Sequence, residues 1–494
     1  MPRAPGFKGY AENNLRRHLS WRRRGAAAAL ALASCLALAA AAQVPPPVAE
    51  ALKRAGVPPE QAAVLVQEIG AARPWIQQNA ERALNPGSVM KLVVTYAALE
   101  RLGPAYRWRT EVYLEPRPGP GAPGPALHVK GFGDPKLTVE SFWLLLRALR
   151  ERGLKDLRGD LVLDRSYFDA PAHDPGAFDA EPFRVYNTGP DALLVNFKSV
   201  RFQIVPGAAD KVRIFPLPNP RGLEIVNTLR NIDGPCGNWR DAILADFRPV
   251  PGGLRAVFAG PYPKSCGEQP WQASLFPPND YVGGVFRQLW EELGGSWSGT
   301  VRDGAVPAGT PLLYTHESPP LAEIVRDINK YSNNVMARQL YLTLGAAGNG
   351  APARSDAAYQ AVRAALAARG LDMPELVIEN GSGLSRVERI SARNLLRLLL
   401  SAYAGPNMAD FVASLPLVAV DGTMRRRLNG SAVSGQAQVK TGTLADTRAL
   451  AGYVLDRNAV RHVVVMLINH PAASGSAAAQ DALLSWVYNR GLRE

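Results

Sequence analysis

The stretch Asn85–Glu100, NPGSVMKLVVTYAALE, puts a hydroxyl and a cation at the start of a segment that otherwise reads as core. Behind Pro86 and Gly87 the apolar residues recur at helical spacing and the run ends at Gly103, which predicts a buried helix beginning near Ser88. Residues three apart share a helix face, so Ser88 and Lys91 project together. The N-terminal end of a helix favours developing negative charge. A lysine held there out of water releases its proton more easily and can serve as a base. Such a pair suits a serine nucleophile that works without histidine. Ser-x-x-Lys is also a chance pattern in a chain of 494 residues, so its weight depends on what accompanies it.

Two short motifs accompany it. KYSNNVMA (330–337) breaks two helical stretches with polar residues. Ser332 there is placed to relay a proton to a leaving group, and Asn334 to orient the lysine and a substrate carbonyl. The plain alternative is a helix cap, which Ser and Asn also favour. VKTGT (439–443) lies on a predicted strand. Gly442 lacks a side chain, so an extended peptide can lie alongside as an added strand. Lys440 and Thr441 are then candidates to hold a terminal carboxylate, and the backbone N–H groups of Ser88 and Thr443 to form an oxyanion hole. Each motif has a bland reading by itself; the three in this order, each in the local structure it requires, do not.

The combination resembles the penicillin-recognising serine acyltransferases. Ser88 to Ser332 spans 244 residues and Ser332 to Lys440 spans 108. The long first gap resembles the class C low-molecular-mass penicillin-binding proteins, the D-alanyl-D-alanine carboxypeptidase/endopeptidase family. GFGDPKLT (131–138), GDLVLDRSYFD (159–169), YNTGPDALLVNF (186–197), NGSGLSR (380–386) and LPLVAVDGTMRRR (415–427) are similar to that family too. The resemblance implies an α/β transpeptidase-type domain, an antiparallel sheet with helices, interrupted by a large β-rich insertion. It implies Ser88 as acylated nucleophile, Lys91 as its base, Ser332 and Asn334 as the second motif, and Lys440, Thr441, Gly442 and Thr443 as the substrate-binding strand. It also implies a pocket for the stem-peptide side chain, with Arg386 at the arginine position and Asp164 and Phe168 as candidates for the remaining wall. Asn380 departs from the Asp common before Gly-Ser-Gly, which leaves the hydrogen bonding of that loop open. Ala445, two residues past Thr443, brings no polar group to the pocket. No cofactor or metal is implied; the partners are peptidoglycan peptides and β-lactams.

Pattern along the chain agrees with that outline. Paired strands are predicted at 107–115 and 124–133, an amphipathic helix at 138–154, and strands at 159–169, 192–207 and 253–262. Helices resume after residue 318, and 434–444, 448–456 and 461–470 form an antiparallel meander followed by a last helix. The expected division is 1–42 signal peptide, 43–110 first part of the peptidase domain, 111–300 insertion, and 301–494 second part.

Basic NNLRRHLSWRRRG (13–25) precedes an apolar, small-residue run (26–42) with a small-x-small site before Gln43, which reads as a secretory signal peptide and a periplasmic protein. LASC (32–35) also fits a lipoprotein box with Cys35 as lipid acceptor, although the residues after Cys35 stay apolar. Residues 1–24 carry +6 of the net +13, so the remainder is only modestly basic; a nucleic-acid groove is not implied, and the plain reading is an arginine-rich soluble surface, with mild peripheral attraction to anionic wall or lipid compatible with it. With the signal removed, two cysteines remain, Cys236 and Cys266, most simply one disulfide in an exported protein. A β-lactamase or esterase of the same fold, and a non-catalytic wall-binding scaffold, are the alternatives. Against a β-lactamase, no Glu-x-x-x-Asn loop stands out; against a scaffold, all the motif residues are intact.

Overall fold

The structure, a computed structural model, describes residues 44–116, 124–169 and 172–490. The expected signal peptide (1–42), the alternative lipid acceptor Cys35 and the turn at 117–123 lie outside the described residues.

The C-terminal meander is the heart of the molecule. Ala437–Leu444 pairs antiparallel with Thr447–Leu455, which pairs with Arg461–Asn469. Ala62–Glu68, the first strand among the described residues, joins on the far side of Arg461–Asn469, and Ile76–Gln78 completes a five-stranded sheet. Neighbouring residues of a strand point to opposite faces. Val463, Val465 and Leu467 therefore enter one hydrophobic layer, and Val464, Met466 and Ile468 the other. Antiparallel sheets commonly leave one face to water. Here both faces are covered, which is why VVVMLI reads as an unbroken apolar run.

The helices Pro46–Arg54 and Ala477–Asn489, from the two ends of the described chain, pack together over one face. On the other face gather Lys91–Leu102, Leu321–Tyr331, Asn334–Asn349, Ser355–Ala367 and Ala392–Ala404. Lys91–Leu102 lies at the centre of that layer and is buried from Lys91 through Leu99. A helix wrapped by core on all sides carries apolar residues all round, and Lys91 is the one charged group among those buried positions.

Between Lys91–Leu102 and Leu321–Tyr331 the chain builds a second unit with its own core. Its main sheet has the order Val301–Asp303, Leu161–Asp164, Leu127–Gly131, Arg109–Leu114, Leu312–Glu317. Two of these pairings are parallel and two antiparallel. Val139–Glu151 and Pro278–Glu292 pack into the same core, beside two three-stranded sheets drawn from 200–273. The boundary expected near 300 falls inside this arrangement, because Val301–Asp303 and Leu312–Glu317 hydrogen-bond into the sheet. Val301–Asp303 has only three residues and Leu312–Glu317 is half-buried along its middle, so neither shows the buried–exposed alternation that marks a strand in sequence.

Two predicted strands are much shorter than expected, and of 159–169 only Leu161–Asp164 is a strand. Only Val200–Pro206 of 192–207 is a strand. Asn196, Phe197 and Lys198 are all left-handed, at φ of 45°, 55° and 50°. The Asn196 amide fixes this turn by accepting from the Val139 N–H at 3.2 Å and donating to the Ser199 carbonyl at 3.0 Å. Cys236 and Cys266 are disulfide-bonded, with Cα atoms 4.7 Å apart, and close a loop within the β-rich unit.

Candidate active site

Ser88 sits on a tight 3-10 turn, Gly87–Met90, that runs directly into the helix Lys91–Leu102. Side chains three apart nearly eclipse in a 3-10 turn, so the turn brings Ser88 and Lys91 together more directly than an α-helical start would. Lys91 Nζ lies 3.0 Å from Ser88 Oγ. It also donates to Asn334 Oδ1 at 2.7 Å and to the Ser382 carbonyl. An ammonium has three N–H groups, and all three find acceptors. Once neutral, the amine has a lone pair aimed at the same hydroxyl. Burial lowers the Lys91 pKa well below the usual lysine range, and the nearby Lys440 adds to the effect.

Ser332 ends the helix Leu321–Tyr331 in the left-handed conformation, φ 57° and ψ 37°. Its Oγ accepts from Lys440 Nζ at 2.9 Å. Lys440 is fully buried, and burial pushes its pKa down to about 7. Two residues on, Asn334 opens the next helix, whose start is capped by Asn333 Oδ1 accepting from the Met336 N–H at 3.1 Å. Ser and Asn in this break therefore do both things the sequence allowed. Asn333 caps, while Ser332 and Asn334 each reach a lysine.

Ala437–Leu444 is an edge strand of the central sheet. Ladder hydrogen bonds alternate along an antiparallel strand. The Val439 N–H points away from the sheet, to the Pro416 carbonyl at 2.9 Å. By the same period of two, the N–H groups of Thr441 and Thr443 face the open edge. A Cβ on Gly442 would lie 2.3 Å from the Pro86 carbonyl oxygen and 3.0 Å from Ser88 N. Glycine is thus what lets the strand close on the Ser88 turn and bring the Thr443 N–H near the Ser88 N–H. The Thr441 hydroxyl is 3.2 Å from that of Thr423, and Arg448 donates to Thr443 Oγ1 at 2.9 Å. Ala445 is exposed in the turn after the strand.

The NGSGLSR loop closes the third side. A Cβ on Gly383, at φ 80°, would lie 2.0 Å from the Gly87 carbonyl oxygen. The Asn380 question resolves in favour of the amide. Its Oδ1 accepts from the Ser382 N–H at 2.9 Å and the Ser382 hydroxyl at 2.6 Å, and its Nδ2 donates to the Leu384 carbonyl at 3.1 Å.

A cavity of about 530 Å³ adjoins this loop, lined by Arg386, Phe178, His173, Arg338, Tyr341 and Glu379 among others. The Arg386 guanidinium lies 4.7 Å from the centre of the Phe178 ring. Asp164 and Phe168 are not among the lining residues. Asp164 is buried at a strand end. Its oxygens accept from the Ser166 N–H and hydroxyl at 2.9 and 2.6 Å and from the Val306 N–H at 2.9 Å, and Lys130 lies 3.4 Å away. Phe168 packs against Leu342, Ala346 and Ala353. The sequence reading expected a pocket wall from 164–168; the cavity beside Arg386 is lined from the β-rich unit by residues within 172–190, where Phe178 and His173 offered no motif. Also unforeseen were the Ser382 carbonyl and the Tyr186 carbonyl that accepts from Asn334 Nδ2 at 3.2 Å. Main-chain oxygens leave no mark in residue identity.

A Ser-Lys pair at a helix start, a Ser-x-Asn break and a Lys-Thr-Gly edge strand, converging across an antiparallel sheet, define a penicillin-recognising serine hydrolase. The family model for D-Ala-D-Ala carboxypeptidase 3 (S13) matches residues 46–489, and the chain belongs to that family. It is 30% identical over 407 residues to a D-alanyl-D-alanine carboxypeptidase of Actinomadura sp. (strain R39), covering 79% of this chain and 74% of that protein. It is 23% identical over 392 residues to the D-alanyl-D-alanine carboxypeptidase DacB of Haemophilus influenzae, covering 77% and 80%. The crystal structure of penicillin binding protein 4 (dacB) from H. influenzae shares the fold, with a TM-score of 0.71 at 21% identity over 90% of this chain and 99% of that one. A complex of the same H. influenzae protein with a novel β-lactam superposes with a TM-score of 0.68, again at 21% identity. The chain is thus a serine D-Ala-D-Ala carboxypeptidase of the low-molecular-mass penicillin-binding class.

Proposed function

We propose that Ser88 is the residue acylated in the D-Ala-D-Ala carboxypeptidase and DD-endopeptidase reaction on peptidoglycan stem peptides. The observation that carries the assignment is the 3.0 Å contact between Ser88 Oγ and a buried lysine whose pKa is lowered. In the neutral form Lys91 Nζ takes the Ser88 proton as Oγ bonds to the carbonyl carbon of the penultimate D-alanine. The resulting oxyanion lies between the N–H groups of Ser88 and Thr443. Collapse breaks the C–N bond, and the departing amine receives the proton that Lys91 took from Ser88, relayed through Ser332 Oγ, which leaves Lys91 neutral again while Lys440, hydrogen-bonded to Ser332, keeps its charge. Water then gives a proton to the neutral Lys91 as its oxygen attacks the ester carbonyl, and Lys91 passes that proton to Ser88 Oγ as the acyl C–O bond breaks. Lys440 and Thr441 hold the terminal carboxylate. In a carboxypeptidase the leaving group is D-alanine; in an endopeptidase it is a crosslinked D-amino centre.

β-Lactams present a strained amide in place of the D-Ala-D-Ala bond and acylate the same serine, with the leaving nitrogen kept on the adduct. The β-lactam complex of the H. influenzae relative supports this extension. The cavity beside Arg386 takes the stem-peptide side chain. We assign the β-rich unit to Arg109–Glu317, following its sheet. The family acts on cell-wall peptides, which lie outside the cytoplasm. No described helix is long and apolar enough to cross a membrane, and we place the protein in the periplasm on the strength of its basic-then-apolar N-terminus.

Labelling with a fluorescent penicillin tests the assignment. The mature protein should label and Ser88→Ala should not, while D-alanine is released from uncrosslinked peptides by the former alone. Labelling of Ser88→Ala at the wild-type rate would overturn it.

A further inference from the structure

Glu388 is completely buried, and the reaction described above makes no use of it. Its Oε1 accepts from three successive backbone N–H groups, those of Glu379 at 3.2 Å, Asn380 at 3.1 Å and Gly381 at 3.0 Å. Successive main-chain donors converging on one oxygen make an anion nest, and such donors favour the ionised carboxylate. Its own N–H is held by Ser385 Oγ at 3.2 Å. The other oxygen, Oε2, is buried with no hydrogen-bond partner among the described residues. An uncompensated buried oxygen is costly, and its retention calls for a reason.

The surroundings supply one. The turn that Oε1 gathers leads straight into Ser382, whose carbonyl accepts from Lys91 Nζ. The charged and titratable groups acting across this space are Lys91 from the Ser88 helix, Arg338 and Tyr341 from the helix Asn334–Asn349, and Lys440 from the edge strand. Burial, Lys440 and Arg338 all push the Lys91 pKa down; Glu388 is the acid that pulls it up. Burial in turn raises Glu388, opposed by the three N–H groups and by Lys91.

Resting on the assignment of Lys91 as the base for Ser88, we propose that Glu388 is the positioning residue for Lys91. Through Oε1 it shapes the 379–382 turn that presents the Ser382 carbonyl to Lys91 Nζ, and it is the buried acid beside Lys91 and Arg338. It touches no reacting atom and acts on the reaction through Lys91.

The two roles separate by substitution. Glu388→Gln keeps an oxygen for the three N–H groups and removes the charge. Glu388→Asp keeps the charge and withdraws the oxygen from the nest. The measurement is the second-order rate constant for acylation by a fluorescent penicillin from pH 5 to 10, on wild type, Ser88→Ala and both Glu388 variants. Glu388→Gln should move the acidic limb of the profile to lower pH by about one unit, because Lys91 loses the charge that favoured its protonated form. Glu388→Asp should leave that limb in place and lower the plateau about tenfold, as expected for a displaced base. A Gln variant with the wild-type limb overturns the proposal, since a merely structural glutamate would change the plateau only. If the Gln variant does not fold, the Asp variant decides: a fixed limb with a lowered plateau supports the proposal, and a moved limb or an unchanged plateau overturns it. Failure of the wild type to label, or labelling of Ser88→Ala, would instead strike the assignment of Ser88 and Lys91.

Discussion

Ser332 reaches Lys440 through a left-handed backbone: at φ 57° and ψ 37° it ends one helix and turns its hydroxyl to 2.9 Å from Lys440 Nζ. A non-glycine residue in that region costs about 1–2 kcal/mol, so the site holds local strain in order to place one hydroxyl. Ser332→Gly and Ser332→Ala both delete the hydroxyl, but only Gly relaxes the backbone. Thermal unfolding should rank Ser332→Gly above Ser332→Ala by about 1 kcal/mol. Acylation by penicillin should fall in both by about 10²–10⁴-fold, the usual range for a lost proton-transfer group. Equal stability of the two variants would show that the strain is not there.

The two lysines predict opposite pH limbs. Lys91 acts as base only when neutral, so acylation rises with pH as its proton leaves. Lys440, lowered to about 7 by burial, carries its charge below that pH and loses it above. Attraction for a substrate carboxylate therefore weakens as pH climbs through 7, and kcat/KM for a D-Ala-D-Ala peptide should bend downward there. A bound carboxylate favours the protonated lysine, so the bend in kcat should lie at higher pH than that in kcat/KM. Steady-state D-alanine release measured from pH 5 to 10 gives both.

How far the sequence carries the structure depends on which atoms do the work. Ser88, Lys91, Ser332, Asn334 and Lys440 were legible because their side chains make the contacts: Lys91 bonds Ser88 and Asn334, and Lys440 bonds Ser332. The meander was legible because Arg461–Asn469 announces a strand covered on both faces. Asp164 lies outside the lining of the cavity beside Arg386: an acid at a strand end looks available in sequence, whereas turn and backbone donors occupy it. Glu388 and the carbonyls of Ser382 and Tyr186 were missed because their partners are main-chain or distant groups.

Gly383 is the close-approach residue of the NGSGLSR loop, and the Gly87 carbonyl oxygen stands 2.0 Å from where its Cβ would be. That atom is main chain and cannot swing aside. Gly383→Ala should destabilise the protein by about 1–3 kcal/mol, from overpacking together with a positive φ. By displacing Ser382 it should also slow acylation. Urea unfolding and penicillin labelling check the two effects on the same sample.

The disulfide offers a control far from the chemistry. Cys236 and Cys266 are 30 residues apart in sequence and lie in the β-rich unit. In the chain-entropy model a loop of that size stabilises by about 3–4 kcal/mol. The Cys236→Ser, Cys266→Ser double variant should lose stability on that scale and keep the wild-type acylation rate at temperatures where it remains folded. A large loss of acylation in the folded double variant would mean that the β-rich unit transmits strain to Ser88.

One route for such transmission is visible. The helix Asn334–Asn349 sends three side chains in succession to a single segment of the β-rich unit. Asn334 donates to the Tyr186 carbonyl at 3.2 Å, and Arg338 to the Thr188 carbonyl at 2.5 Å. Buried Gln339 pairs with both main-chain groups of Asp191, accepting from its N–H at 2.9 Å and donating to its carbonyl at 2.7 Å. Asp191 in turn binds Arg165 at 2.9 Å, at the end of the main sheet of that unit. Asn334 is thus held from one side by Lys91 and from the other by the inserted chain. Gln339→Ala leaves the N–H and carbonyl of half-buried Asp191 without this partner, at a cost of about 1 kcal/mol. If segment 186–191 positions Asn334, acylation of the folded variant should fall as well, by about tenfold, although Gln339 touches neither Ser88 nor Lys91. An unchanged acylation rate beside a lowered unfolding midpoint would make the segment a structural seam only, and would leave the placement of Asn334 to its own helix.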